Sequence, residues 1–379
     1  MRIALFTETF LPATDGVVTR LWYTVEGLVR AGDGLLIFAP SGAPETFSGA
    51  RIHGVPGVPF PPYPEKKMCP PHPGMGRALR RFRPDLIHVV NPFILGVGGV
   101  YYASRLGLPL VASYHTNLAT YASYYRLGFT ERLAWAYFRN LHNRAILNLC
   151  TSEATRNRLF EEGVKRLRIW PQGVNDQRFH PDRASAGWRA RLSGGQPNKK
   201  ILLYVGRLAP EKSIGRLKAV LHEVPDVRLA IVGDGPARKA LEREFRGTPT
   251  VFTGLLTGED LAAAYASADL FLFPSTTETL GIAMIEGLAS GLPVVAARSG
   301  AVREVFSEGE SGLLYEPGSA TDLVAAVRDV LRDDALRCSM SRKARAAAEK
   351  RGWEAATAAL RGYYEEALDE HLRTVPARL

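Results

Sequence analysis

Pro274-Ser275-Thr276-Thr277-Glu278-Thr279-Leu280-Gly281-Ile282-Ala283-Met284-Ile285-Glu286-Gly287 follows an apolar run, Ala268-Asp269-Leu270-Phe271-Leu272-Phe273, and leads into alternating small and apolar residues. The first run is strand-like and the second helix-like, so the stretch is a strand–loop–helix junction. Glu278 falls in the loop. Glu286 falls about one and a half turns into the helix, at 3.6 residues per turn. The amides of Thr279, Leu280 and Gly281 lie at the predicted helix start, where unpaired N–H groups and the helix dipole favour an anion. The junction thus offers an anion cradle with a hydroxyl acceptor on either side. A diphosphate carrying a hexose at one end and a ribose at the other needs that set of partners.

Outward from the junction, the second half alternates strands and helices. Strands are read at Ile201–Val205, Val227–Val232, Val251–Thr253, Leu270–Phe273 and Pro293–Ala296, with helices near Ile214–His222, Ala237–Phe245 and Gly258–Ser267. The first half repeats the pattern, with strands Arg2–Thr7, Leu35–Ala39, Asp85–Val90 and Pro109–Tyr114 and an amphipathic helix from Gly16 to about Ala31. Unbroken apolar strands in βαβ alternation predict parallel sheets covered on both faces. The expected fold is α/β, two doubly wound Rossmann-like domains: residues 1–172, then 173–356, with a helix over 357–379 returning to the first; Glu354–Arg373 reads as helical, with Trp353 and Tyr363-Tyr364 as apolar anchors. Ligands bind such sheets outside the carboxyl ends of the strands. The Pro/Gly-rich stretch Gly54–Gly76 reads as a long mobile loop. The polar stretch Asp182–Lys200, with Ser193-Gly194-Gly195-Gln196-Pro197-Asn198, reads as an interdomain linker.

The chain of 379 residues is long enough for two cores. Its 46% hydrophobic and 23% charged residues are ordinary for a globular protein. The cysteines Cys69, Cys150 and Cys338 are scattered and lack C-x-x-C spacing. They argue against a disulfide framework and a zinc site and fit a reducing cytoplasm. No signal peptide is read at the N-terminus and no apolar run is long enough to span a bilayer. The net charge of +10 is uneven: residues 1–172 hold 20 Lys/Arg against 11 Asp/Glu, an excess of +9, and the remainder is nearly balanced. A basic first domain suggests an anionic partner. No aromatic-interleaved basic module supports nucleic acid.

Three further strand ends carry candidate chemistry. Val205-Gly206-Arg207-Leu208-Ala209-Pro210-Glu211-Lys212 ends the first strand of the second half. Arg207 and Lys212 can reach one phosphate from that loop, Arg as a fork and Lys as a point charge. A charge pair with Glu211 is the alternative. Val232-Gly233-Asp234-Gly235-Pro236 is a second Gly-rich strand end. In the first half, Val111-Ala112-Ser113-Tyr114-His115-Thr116 places His115 at a strand's carboxyl end, a catalytic address in an open sheet. The first βα junction, Thr7 to Val18, lacks G-x-G-x-x-G, which lowers a nicotinamide reading. Its Gly16 opens the helix and allows close approach of a ligand.

The set Gly206-Arg207…Lys212, Gly233–Pro236, Glu278–Gly281…Glu286 and Ser290-Gly291-Leu292-Pro293-Val294-Val295 resembles the retaining glycosyltransferases of family 4, which have the GT-B fold. The resemblance spans nearly the whole chain. Ser113–Thr116, Leu141-His142, Trp170…Gly173-Val174-Asn175 and Phe252-Thr253-Gly254 are most similar to lipid-glycosylating members. These are the sulfolipid synthases, which move sulfoquinovose from UDP to diacylglycerol, and the GDP-mannose-dependent α-mannosyltransferases. Gly32-Asp33-Gly34-Leu35 departs from the family's Gly-His-x-Val, and Gly300-Ala301 from its Gly-Gly.

The resemblance implies two domains facing across a cleft. Arg207 and Lys212 would neutralise the leaving diphosphate and Glu286 would take the ribose hydroxyls. Glu278 and the Thr279–Gly281 amides would hold the hexose and a phosphate. Gly206 and Gly233 would admit the donor, Gly16 would let the first loop approach donor and acceptor, and His115 would bond a donor hydroxyl. It further implies retention by same-face attack, no metal and no cofactor beyond the nucleotide-sugar donor, with UDP-sugar favoured over GDP-sugar. No D-x-D pair stands at a strand end, in keeping with that. The basic first half and Arg77-Ala78-Leu79-Arg80-Arg81-Phe82-Arg83 point to a lipid acceptor at the anionic inner face of the cell membrane. Competing readings are a soluble acceptor, a non-catalytic sugar-nucleotide-binding protein and a nucleotide-sugar epimerase; the last would need further cleft carboxylates.

Overall fold

A computed structural model of the chain describes residues 1–13, 15–60, 63–115, 131–279 and 281–374. The chain divides into two units, Met1–Gly173 with Trp353–Leu379, and Val174–Gly352.

The first unit is built on strands β1 (Arg2–Thr7), β2 (Gly34–Pro40), β3 (Thr46–Phe47), β4 (Ala50–Val55), β5 (Val58–Phe60), β6 (Tyr63–Met68), β7 (Leu86–Val90), β8 (Leu110–Ser113), β9 (Leu147–Cys150) and β10 (Leu167–Ile169). Eight of them form one sheet in the order β10-β9-β8-β7-β1-β2-β4-β3, parallel except for β3. The sheet is buried on both faces because its strands are apolar at consecutive positions: Ile3, Ala4, Leu5 and Phe6 are all excluded from solvent. Phe6, Phe38, Ile87 and Val89 pack with Met75, Leu79 and Phe82 of the Pro73–Phe82 helix and Leu95 and Val100 of the Leu95–Leu106 helix. Elsewhere the Gly16–Arg30 helix lies so close to the Trp353–Thr374 helix that a Cβ on Gly27 would meet Thr357 Oγ1 at 2.4 Å.

The second unit comprises β11 (Lys200–Val205), β12 (Val227–Val232), β13 (Thr250–Gly254), β14 (Leu270–Phe273), β15 (Val294–Ala297) and β16 (Gly312–Tyr315). Its sheet is wholly parallel in the order β13-β12-β11-β14-β15-β16. Leu203, Val205, Phe271 and Phe273 feed one core, and Leu202, Tyr204, Leu270 and Leu272 feed the other. That is the alternation expected of strands covered on both sides.

Three expectations are corrected. Gly54–Gly76 is not one irregular loop: β5 and β6 pair as an antiparallel hairpin, and a helix begins at Pro73. His72 starts that helix, its Nδ1 accepting from the Gly74 amide at 3.1 Å, with Pro73 preset for the first turn. Asp182–Lys200 is not the linker. It lies within the second unit, as a 3₁₀ turn Pro181–Arg183 and a helix Ala186–Leu192 capped by Ser185. Leu192 and Phe179 are buried in that unit's core, which ties the stretch down despite its polar composition. The return to the first unit begins at Trp353 and not at residue 357; the Trp353 ring, expected as an apolar anchor of the last helix, stacks on Tyr23 (4.9 Å, 15°).

Candidate active site

In the second unit, β11 and β14 are neighbours although they are not consecutive in sequence, and their connections leave in opposite directions along the sheet. Such a switch point opens a crevice at the carboxyl ends of the two strands. The loop after β11 carries Arg207, Glu211 and Lys212, and the loop after β14 carries Glu278. The Lys212 ammonium donates to Glu278 Oε1, joining the two loops, and both side chains are mostly buried. Arg207 donates to Glu211, which is wholly excluded from solvent. The charge pair with Glu211 that was the alternative for Arg207 is thus present, with its carboxylate buried and its guanidinium partly exposed.

Glu286 lies in the Ile282–Ala289 helix and is buried. The Tyr265 hydroxyl lies 3.2 Å from its Oε2. Burial pushes the carboxyl up to about 8, against the smaller opposing effects of that hydroxyl and of Arg178. Gly281, at φ +62°, is the N-cap, and no side chain caps the helix. The helix thus begins later than the sequence suggests: Thr279 remains in the loop, Gly281 is the cap, and Leu280 lies outside the described residues.

Gly206 and Gly233 have a structural explanation. Gly233, at φ +136°, would place a Cβ 2.0 Å from the Gly206 carbonyl oxygen. The two strand-end loops are also stitched by Gly206 N–H to Val232 O (3.0 Å) and Leu208 N–H to Asp234 O (2.9 Å). Gly233 lets the β11 and β12 loops touch backbone to backbone, which holds the Arg207–Lys212 loop in place, whereas a Cβ on Gly206 would meet the Tyr204 hydroxyl at 2.9 Å.

In the first unit, His115 follows β8 and is buried. Its backbone N–H donates to Asn91 Oδ1 (2.8 Å), and its Nε2 lies 2.8 Å from Ser113 Oγ. Burial above all, with Arg20, His88 and His142 nearby, holds the imidazole well below its ordinary range. Asn91 itself ends β7, in a loop fixed by Glu8: that carboxylate accepts from the amides of Phe93, Ile94, Leu95 and Gly96 at 2.9–3.1 Å. At Gly16 the helix start is already occupied, because Asp15 Oδ1 accepts from the Val17 and Val18 amides at 3.1 Å each.

Sequence reasoning missed Arg20, Glu8 and His88, and took Tyr364 as an apolar anchor of the last helix, where its hydroxyl also meets His88 Nδ1. Arg20 is wholly buried with no carboxylate partner among the described residues: it donates to Gln172 Oε1 (2.6 Å) and to the Trp170 and Pro171 carbonyls (2.9 Å each), and lies 3.8 Å over the Trp170 ring. Its signal was a lone arginine on the apolar face of an amphipathic helix. Among the described residues no cluster of His, Cys, Asp and Glu could hold a metal ion, and no helix is long and apolar enough to cross a membrane.

Two family models match the chain, Glycosyltransferase Family 4 over residues 14–178 and Glycosyl transferases group 1 over residues 191–347. The sulfoquinovosyl transferase SQD2 of Arabidopsis thaliana is 38% identical over 95% of this chain and 72% of its own. A GDP-mannose-dependent alpha-mannosyltransferase of Mycobacterium tuberculosis is 39% identical over 96% of both chains. Among solved structures, the sucrose-phosphate synthase of Thermosynechococcus elongatus superposes with a TM-score of 0.80 at 22% identity, over 97% of this chain and 99% of that one.

Proposed function

The chain belongs to glycosyltransferase family 4 and has the GT-B fold, and from that premise we propose that it moves a hexose, with retention, from a nucleoside-diphosphate sugar to a hydroxyl of a membrane lipid such as diacylglycerol. The observation that carries the reading is the Lys212–Glu278 pair across the switch point of the second sheet, beside Arg207. Cations and a hydroxyl acceptor gathered at the carboxyl ends of β11 and β14 support a diphosphate sugar bound there.

In this reading Lys212 and Arg207 share their charge between their carboxylate partners and the diphosphate, most strongly as negative charge grows on the departing phosphate. Glu278 accepts from the hexose, and Glu286 from the ribose hydroxyls. The acceptor oxygen attacks the anomeric carbon on the face that the phosphate leaves. The new C–O bond forms as the sugar–phosphate bond breaks, and the acceptor proton passes to the departing phosphate oxygen. His115 holds a donor hydroxyl.

The lipid acceptor is supported by the first unit's basic excess and by the Pro73–Phe82 helix, which buries Met75, Leu79 and Phe82 and exposes Arg77, Arg80 and Arg81. Those arginines would hold the protein peripherally on the anionic cytoplasmic membrane face. UDP-sugar is the donor in the first reading, as the resemblance to the sulfolipid synthases implies. A second reading, with GDP-mannose as donor, is favoured by the mannosyltransferase that matches over 96% of both chains. Incubation with a panel of UDP- and GDP-sugars, with and without diacylglycerol vesicles, tests both. Nucleotide release dependent on one donor and on the lipid is expected. Release with none of them defeats the proposal.

A further inference from the structure

A continuous line of buried polar side chains runs through the first unit to His115. Tyr364, in the Trp353–Thr374 helix, has its Oη 2.7 Å from His88 Nδ1. His88, on β7, has its Nε2 2.8 Å from Ser113 Oγ, and Ser113 Oγ lies 2.8 Å from His115 Nε2. β7 pairs with β8 with Val90 opposite Ser113, so His88 and Ser113 stand on one face of the sheet. Tyr364, His88 and Ser113 are wholly excluded from solvent and His115 nearly so.

The directions of these hydrogen bonds follow from counting donors and acceptors. Among the described residues the Tyr364 hydroxyl has one partner, His88 Nδ1. A buried phenol whose proton pointed anywhere else would leave that donor unsatisfied, so Tyr364 donates and His88 Nδ1 accepts. His88 is neutral, since burial and the Arg20 guanidinium lower it to about 3. Its single proton is therefore on Nε2 and goes to Ser113 Oγ. Among the described residues the Ser113 hydroxyl has one partner left, His115 Nε2, and donates to it. His115 is also kept neutral, by burial first and then by Arg20, His88 and His142. With Nε2 accepting, its proton is on Nδ1.

We infer that Tyr364, acting through His88 and Ser113, fixes His115 as the Nδ1–H tautomer, so that Nδ1 is a hydrogen-bond donor and not an acceptor. Tyr364, His88 and Ser113 are positioning residues. The helix after the second unit thereby sets the chemistry of a strand end some 250 residues earlier in the chain. The consequence for substrate rests on the proposed hexosyl transfer: His115 offers a proton to a hydroxyl lone pair of the donor. The tautomer itself does not depend on that reading.

The test is long-range ¹H–¹⁵N correlation NMR at neutral pH on the full chain labelled with ¹⁵N-histidine, with His115 assigned by the signals lost in His115→Gln. The wild type should show His115 protonated on Nδ1 alone. Tyr364→Phe removes one oxygen and should convert His115 to a mixture of both tautomers. Ser113→Ala should do the same to His115 while His88 keeps its Nε2 proton, and Ser113→Thr should restore the single tautomer. A wild-type His115 protonated on Nε2 overturns the inference. So does an unchanged Nδ1–H tautomer in Tyr364→Phe or in Ser113→Ala. Should Tyr364→Phe fail to fold, the Ser113→Ala and Ser113→Thr pair decides. If the tautomers behave as expected but no nucleotide sugar is turned over, the relay stands and the transferase reading fails.

Discussion

Lys212 and Glu278 stand 66 residues apart, and each was legible in the sequence as a candidate, one for phosphate and one for hexose. Their direct pairing was not, because a contact between two loops depends on which strands are neighbours. In the proposed reaction the diphosphate would therefore share Lys212 with a carboxylate. Lys212→Ala is expected to lower kcat by about 10²-fold, the typical effect of removing one preorganised donor at a developing anion, and steady-state nucleotide release measures it. Glu286 gives a pH prediction. Its carboxyl is raised to about 8, so at neutral pH the ligand-free acid is largely protonated. Ribose hydroxyls would donate to the ionised form and favour it, so binding should release a proton. Affinity for the cognate nucleoside diphosphate should rise with pH and level off above about 8, and Glu286→Gln should flatten that dependence. Calorimetric titrations in buffers of different ionisation enthalpy report the proton directly.

At the level of elements, the β11 and β12 loops act as one piece. Gly233→Ala puts a methyl on the Gly206 carbonyl at a positive φ. Backbone strain of this kind is worth about 1–3 kcal/mol, so the melting temperature of the second unit should fall by several degrees and the Arg207–Lys212 loop should lose its fixed position. The resemblance gave Gly233 the role of admitting the donor; the structure adds that a side chain there would meet another loop's backbone. The Pro73–Phe82 helix shows the opposite case. Its alternation of Arg with Leu79 and Phe82 was plain in sequence, and the side chains divide as that alternation implies. Reversing Arg77, Arg80 and Arg81 to Glu leaves the buried face intact. At about 1 kcal/mol per basic residue at an anionic surface, the triple variant should lose binding to phosphatidylglycerol vesicles at low salt while keeping its circular dichroism spectrum.

For the whole molecule, the two units should respond to pH in opposite senses. His88 and His142 are depressed to about 3 and 4, and His115 is depressed with them. The unfolded chain binds protons at these sites below about 6.5 and the folded first unit does not, so its stability is lost as pH falls through that range. Glu8, raised by burial, works the other way, one carboxyl against three imidazoles. In the second unit Glu286 is raised, so stability present below about 4.5 is lost as pH climbs toward 8. Thermal melts from pH 5 to 8 should show one transition rising and the other falling. Trp188 is the second unit's one tryptophan, so Trp188→Phe makes intrinsic fluorescence report the first unit alone. By itself the sequence determined the two parallel sheets, the β14 junction and the family, because apolar strand runs, helix periodicity and strand-end motifs are local. Only the tertiary structure decided that Asp182–Lys200 belongs to the second unit, that Lys212 pairs with Glu278, and that Tyr364 reaches His115. Those outcomes depend on strand order and helix return, which bring together residues whose separation in the chain carries no local signal.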